Sequence, residues 1–343
     1  MNRKLKTAIL LCIAVYVSTL LTGCAPPAGE TLREIVWPLP PEKPRIKWLG
    51  AYMVARDIEE GSRFLESLVG VDPGDRLQRP QGVTVDASGN IYTADTFQHK
   101  IFVFDLIRRK LWYLGEPAQE RPIQTVGLAI AQKSGFLLSA NSGSKKVVAY
   151  DLATGRERFI IGNEPGFFSK PVGVAVDEAR GRIYVTDSKL NQLRAFDMTG
   201  KLVSTIANGG TADNQVYFPA QVYVDREGKV YVADSMNFKV KIFRPDGSYI
   251  RSIGSIGITP GHFSRPYGVA VDSEGHIYVS DANFGNVQVF DQEGRLLLTF
   301  GGLGKGPGQF NVPMYIWIDK DDKIYVTDSI NMRVQVFQYL KEQ

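Results

Sequence analysis

The sequence predicts an all-β chain of repeated four-stranded units, and three observations lead there. A five-residue segment recurs six times at a near-constant interval, and β-branched and aromatic runs follow each copy at fixed offsets. The final unit also stops one strand short, while a segment near the amino terminus has the character of the strand it lacks. The six copies start at Gly82, Gly127, Gly173, Gln221, Gly268 and Tyr315, 45 to 48 residues apart. A period in this range marks units that cannot bury their faces alone and stack radially instead, as the blades of a propeller do. The expected architecture is a six-bladed β-propeller.

Each element follows from its residues. The inner strands read Gly82-Val83-Thr84-Val85-Asp86, Gly173-Val174-Ala175-Val176-Asp177 and Gly268-Val269-Ala270-Val271-Asp272, with a degenerate copy at Gly127-Leu128-Ala129-Ile130-Ala131. Second strands such as Ile183-Tyr184-Val185-Thr186 and third strands such as Val287-Gln288-Val289-Phe290 come next, punctuated by Gly, Asp and Asn as antiparallel hairpins are. Outer strands run from Ser248 to Ile253 and from Leu296 to Phe300. After the last third strand, Val334 to Phe337, six residues remain. Arg45-Ile46-Lys47-Trp48-Leu49-Gly50 has the apolar spacing and closing glycine of an outer strand, so the amino-terminal segment is expected to complete the last blade and leave no open gap.

Ahead of the repeats, Arg3, Lys4 and Lys6 precede an uncharged apolar stretch from Ala8 to Leu21 that ends in Leu21-Thr22-Gly23-Cys24. That is the composition of a secretory signal with a lipobox, predicting a signal peptide over 1–23 and lipid on Cys24. A Pro-rich tether over 24–44 would then lead to the propeller at 45–343, with a short amphipathic helix near 58–70. The implied location is exported and lipid-anchored, and Ala25 after the cysteine fits an outer membrane if the cell is Gram-negative. Residues 1–23 hold three of the 40 basic and none of the 36 acidic residues, so the exported chain carries a formal charge of +1. Such a surface offers little to a phosphate backbone, which argues against nucleic acid as a partner. Cys12 lies within the leader, leaving the exported chain no thiol for a disulfide, zinc cluster or haem attachment.

The pattern Phe-x-x-Pro-x-Gly-Val-x-Val-Asp, then Ile-Tyr-Val-x-Asp-Ser, then Val-x-Val-Phe resembles the NHL repeat, most closely at Phe168–Phe196 and Phe263–Phe290 and over about residues 76–337 in all. The stretch from Trp37 to Ile46 also resembles the lead-in of exported six-bladed propeller lipoproteins. The resemblance implies an NHL-type fold. It does not choose a function, because NHL propellers include protein-binding, RNA-binding, sensory and enzymatic members. Blade two departs most, with Asn141 where the others have Asp95, Asp187, Asp234, Asp281 and Asp328.

Signals for catalysis are weak. NHL-type amidating lyases use a histidine-ligated zinc, whereas His99, His262 and His276 fall in a loop after a second strand, an inter-blade loop and a hairpin turn. A calcium site would need carboxylates where the inner strands begin, and none of Gln81, Val126, Val172, Ala220, Gln221, Tyr267, Met314 and Tyr315 is acidic. The five repeated aspartates read as turn caps, and Gly304-Lys305 lacks the Ser or Thr of a phosphate loop. No metal, cofactor or catalytic residue is therefore assigned.

What remains is a binding surface on the face where second-to-third-strand turns and inter-blade loops emerge together. Phe97, Leu190, Met236, Phe238, Phe284, Ile330 and Met332 place apolar groups in turns that are usually polar. Tyr267, Tyr315 and Gln221 are expected near the channel mouth, the last two replacing the glycine found in the other four copies. The reading is a membrane-anchored extracytoplasmic scaffold or recognition protein for a protein or peptide partner. A hydrolase or lyase with an unrecognised axial site and a glycan-binding envelope protein are the alternatives.

Overall fold

A computed structural model describes residues 34–58, 76–114 and 124–341. The leader, Cys24 and all but Ile58 of the segment expected to be helical lie outside the described residues, and a 3₁₀ turn at Ala55–Asp57 precedes that segment. Among the described residues no helix is long and apolar enough to cross a membrane. The chain folds into six antiparallel sheets, five of four strands and one of five, arranged as a β-propeller. Its inner strands are Pro80–Val85, Thr125–Ala131, Pro171–Asp177, Pro219–Val224, Pro266–Val271 and Pro313–Ile318. Each packs on the next, and the last on the first.

Inner and second strands are buried on both faces, which is why they read as nearly continuous apolar runs rather than as alternating ones. Outer strands meet solvent; Leu202–Ala207 of blade three exposes its first four residues. Hydroxyls in the second strands sew the blades together. Thr186 Oγ1 accepts the Gly173 N–H at 3.0 Å and donates to the Ala220 carbonyl of the following blade at 2.5 Å. Ser280 does the same between Gly268 and Met314, and Thr327 between Tyr315 and Gln81, so the last of these bonds closes the ring.

Closure by the amino terminus is as expected and goes one strand further. Ile46–Tyr52 pairs antiparallel with Arg333–Tyr339, Ile46 facing Tyr339 and Tyr52 facing Val334. Val36–Trp37 then adds a fifth strand outside it. The stretch expected to be a tether as far as residue 44 therefore joins the propeller earlier. The reason is Trp37, whose ring lies 5.8 Å from Phe300 of blade five and 5.9 Å from Phe337 of blade six, bridging the two blades at their rim.

The repeated aspartates cap turns and also anchor the loops that enter each blade. Asp95 accepts N–H groups of Phe97 and Gln98 in its own turn, at 3.0 and 2.9 Å, and of Gln78 and Arg79 in the preceding inter-blade loop, at 2.6 and 2.8 Å. Asp187 and Asp281 repeat this fourfold pattern. In blades four and six a buried cation joins the carboxylate: Lys241 stands 3.5 Å from Asp234, and Arg333 donates to Asp328 at 2.8 Å. A charge this deep is held only by such pairing.

Candidate functional site on the loop face and the axis

The turn between second and third strands has one backbone design in all six blades. Its last residue is left-handed each time: His99, Lys145, Asn191, Phe238, Gly285 and Met332, with φ between 55° and 63°. Asn and Gly suit that conformation, while Phe238 and Met332 hold it against steric preference. Two residues earlier comes the tip of the turn. There Phe97, Met236 and Ile330 are 64%, 49% and 46% exposed. Phe238, Phe284, Met332 and Leu190 are half-buried, with Phe238 packed on the core between blades four and five.

The inter-blade loops on the same face add apolar groups that the sequence reading did not select. Tyr217 and Phe218 enter blade four, Ile256 and Ile258 enter blade five, and Leu303 enters blade six, all exposed, with Ile258 at 92%. Leu303 lies against Gly285, beside Phe284. Phe218 has φ 54° directly before Pro219, a strained conformation, and Lys170 stands over its ring at 5.7 Å. The signal for these residues was available in Ser255-Ile256-Gly257-Ile258, where two large aliphatics sit in a run of small loop residues. Together they form an apolar arc across blades four, five, six and one.

Tyr315 and Gln221 are placed differently from the mouth positions expected for them. Both are buried, at 2% and 4% exposure. Tyr315 runs across the axis from blade six to the opposite blade, where its hydroxyl donates to the Val172 carbonyl at 2.6 Å. Gln221 reaches past blade five to blade six: its amide nitrogen donates to Ile316 O at 2.7 Å, and its oxygen accepts the N–H groups of Ile316 and Val269 at 3.0 and 3.3 Å. Tyr267 is half-buried, edge-on to Tyr315 at 5.7 Å. Burial pushes the Tyr267 hydroxyl up to about 12 and raises that of Tyr315 well above its ordinary value. The axis closes because the four remaining copies carry glycine here. A Cβ on Gly82, Gly127 or Gly268 would stand 2.2, 2.3 or 2.4 Å from a carbonyl oxygen of the next inner strand. The next axial tier repeats the bargain, with Thr84, Ala129, Ala175 and Ala270 small and Tyr223 and Trp317 large. Bulk from blades four and six thus fills the space that small residues leave elsewhere.

This packing makes Tyr315 a stability residue. Tyr315→Phe keeps the ring and removes one buried bond, so it is expected to cost about 1 to 3 kcal/mol in urea unfolding. Unchanged stability would show that the hydroxyl does not brace the axis.

The histidines lie apart. His99 ends a turn on the loop face, His262 pairs with Thr259 at 3.0 Å in an inter-blade loop, and His276 stands 2.8 Å from Asp272 in a hairpin turn on the opposite face. The hydrogen bond to Asp272 raises the His276 pKa above its ordinary value. Among the described residues no three or more His, Cys, Asp and Glu side chains gather as a metal site.

Comparisons with known proteins agree with this architecture. The NHL repeat model matches residues 77–104 and 168–196, and that of the DUF5128 family, 6-bladed beta-propeller, matches 211–282 and 271–341. Protein brain tumor of Drosophila melanogaster is 28% identical over 132 residues, which are 37% of this chain and 12% of that protein. An auxiliary nutrient binding protein from Bacteroides ovatus superposes with a TM-score of 0.63 at 15% identity, over 85% of this chain and 77% of that one. Virginiamycin B lyase from Staphylococcus aureus does so at 0.55 and 14%, over 77% and 96%. At these identities the likeness to the solved structures is one of fold. The chain is a six-bladed β-propeller carrying NHL repeats.

Proposed function

We propose that this protein is a recognition or scaffold module of the cell envelope, held to a membrane by lipid on Cys24, that binds a protein or peptide partner with its loop face. The observation that carries the reading is the apolar arc, in which Phe97, Met236 and Ile330 project from turn tips beside Ile256, Ile258 and Leu303. Exposed apolar groups gathered on one face, on turns held by buried aspartates, form a preorganised surface whose burial releases water at little entropic cost. Half-buried Phe238, Phe284 and Met332 lie in the same set of turns. The fold neighbour from Bacteroides ovatus is an auxiliary nutrient binding protein, in keeping with a binding role.

Photocrosslinking tests this reading. A photoreactive residue at position 97, 236 or 330 is expected to trap the same envelope partner, whereas one at Asp246, exposed in a third-to-fourth-strand turn on the opposite face, does not trap it. Replacing Phe97, Met236 and Ile258 by alanine should each weaken binding by about 1 to 4 kcal/mol, depending on centrality, without moving the unfolding midpoint. Cys24→Ser should release the protein from membranes and leave partner binding intact. Equal crosslinking from both faces would overturn the assignment of the loop face.

A further inference from the structure

We infer that the opposite face, where inner strands turn into second strands, holds a separate site for a neutral saccharide, built on Tyr223 and Trp317. Since Tyr315 and Gln221 bar the axis above, the space below them is a blind vestibule and not a passage. It is divided into two hollows, of about 370 and 440 Å³, by the turn Ile318-Asp319-Lys320, which lines both. Each is the size of a small-ligand pocket, roughly 300 to 1,000 Å³.

The floor is aromatic. Tyr223 lines the first hollow and Trp317 the second. Both are half-buried, with ring centres 5.7 Å apart and planes at 66°. Such a pair offers two π faces in different orientations, which suits the C–H faces of a pyranose and the bend between linked sugar units. The walls are polar and rigid. Asp86, Asp225, Asp272 and Asp319 are each fixed by turn N–H groups on one oxygen and by a tyrosine hydroxyl on the other, at 2.9 to 3.2 Å for the tyrosines. Asp86 and Asp272 each accept four hydrogen bonds and are saturated, whereas Asp225 and Asp319 accept two and three and keep lone pairs for ligand hydroxyls at no cost in ordering. Thr84 Oγ1, buried on the same strand face as Asp86, finds no hydrogen-bond partner among the described residues.

Charge selects against other ligands. The first hollow has five acidic and three basic side chains and the second three and two, so an anion such as a phosphate ester meets a slight excess of negative charge. A compact quaternary amine would be attracted by that excess, yet it binds best in a cage closed by several aromatic faces, and here they are split, Tyr223 in one hollow and Trp317 with the buried Tyr325 in the other. A hydroxylated ring uses the planes, the acceptors and the rim lysines together.

The test titrates the full-length protein with neutral gluco-, xylo-, manno- and N-acetylglucosamine oligosaccharides, reading tryptophan emission and heat. Choline chloride and inorganic phosphate serve as competing chemistries. At least one saccharide should saturate and shift the emission. Trp317→Ala should weaken that binding roughly tenfold or more. Ala87→Arg, an exposed substitution at the rim of the second hollow, should weaken it without altering unfolding and decides the matter if Trp317→Ala does not fold. Phe97→Ala, on the loop face, should leave it unchanged. A panel with no Trp317-dependent response, saccharide binding indifferent to both vestibule variants, or binding of choline or phosphate without saccharide would overturn the inference.

Discussion

A chain lacking residues 44–53 is expected to be less stable by about 5 kcal/mol or more and to aggregate on standing. The deleted strand, Ile46–Tyr52, is the fourth of blade six and the sole described pairing partner of Val36–Trp37, so two strands leave together. Ile46 is fully buried in the cluster that contains Phe300, Ile324 and Phe337. Trp48 donates its indole N–H to Gln335 at 2.9 Å, and Leu340 donates to the Arg45 carbonyl at 2.7 Å. Their loss uncovers apolar side chains and leaves the edge of Arg333–Tyr339 open for pairing with a second molecule. Urea unfolding measures the change, and a synthetic peptide covering residues 34–53 should restore part of it when added in trans. A truncated protein with an unchanged midpoint would refute closure through this strand.

The second large effect is expected from one methyl group. Gly82→Ala places a Cβ 2.2 Å from the Val126 carbonyl oxygen and 3.1 Å from the Leu128 nitrogen. Both are backbone atoms of the neighbouring inner strand, so neither can step aside by changing rotamer. The blades must part, and the cost should exceed about 3 kcal/mol or leave the protein insoluble. Gly127→Ala meets the Val172 carbonyl at 2.3 Å and should behave alike. Gly50→Ala has nothing within 4 Å of the new Cβ and is expected to be near neutral. Comparable unfolding midpoints for all three would mean that the inner strands are not in the close contact described.

The parts of this molecule that were legible in its sequence are those dictated by local chemistry repeated many times. Blade number, strand order and aspartate caps recur at a fixed period, so each copy corroborates the others. The outer strand at Arg45–Gly50 was legible because blade six visibly lacked one. Val36–Trp37 was hidden by the prolines that follow it, which give an extended tether and an extended edge strand the same composition. The directions of Gln221 and Tyr315 were hidden for a different reason. Each breaks the glycine repeat at the start of an inner strand, and the irregular pairing between Pro219 and Val222, and between Pro313 and Ile316, decides whether such a residue faces the loops or the axis. Such an irregularity recurs in all six blades, but the period of the repeat does not say which way it turns a large side chain. The vestibule was out of reach because its walls come from inner strands far apart in sequence.

Tyr315 has one more consequence, which concerns counting. Its hydroxyl meets a carbonyl in blade three, and a partner directly across the ring exists only when the number of blades is even. In a ring of five or seven the side chain would point at a seam, and in one of eight the far wall would recede beyond its reach. The residue therefore acts as a caliper on the diameter. Duplication or loss of a single repeat would be rejected at the centre of the protein as well as at its rim.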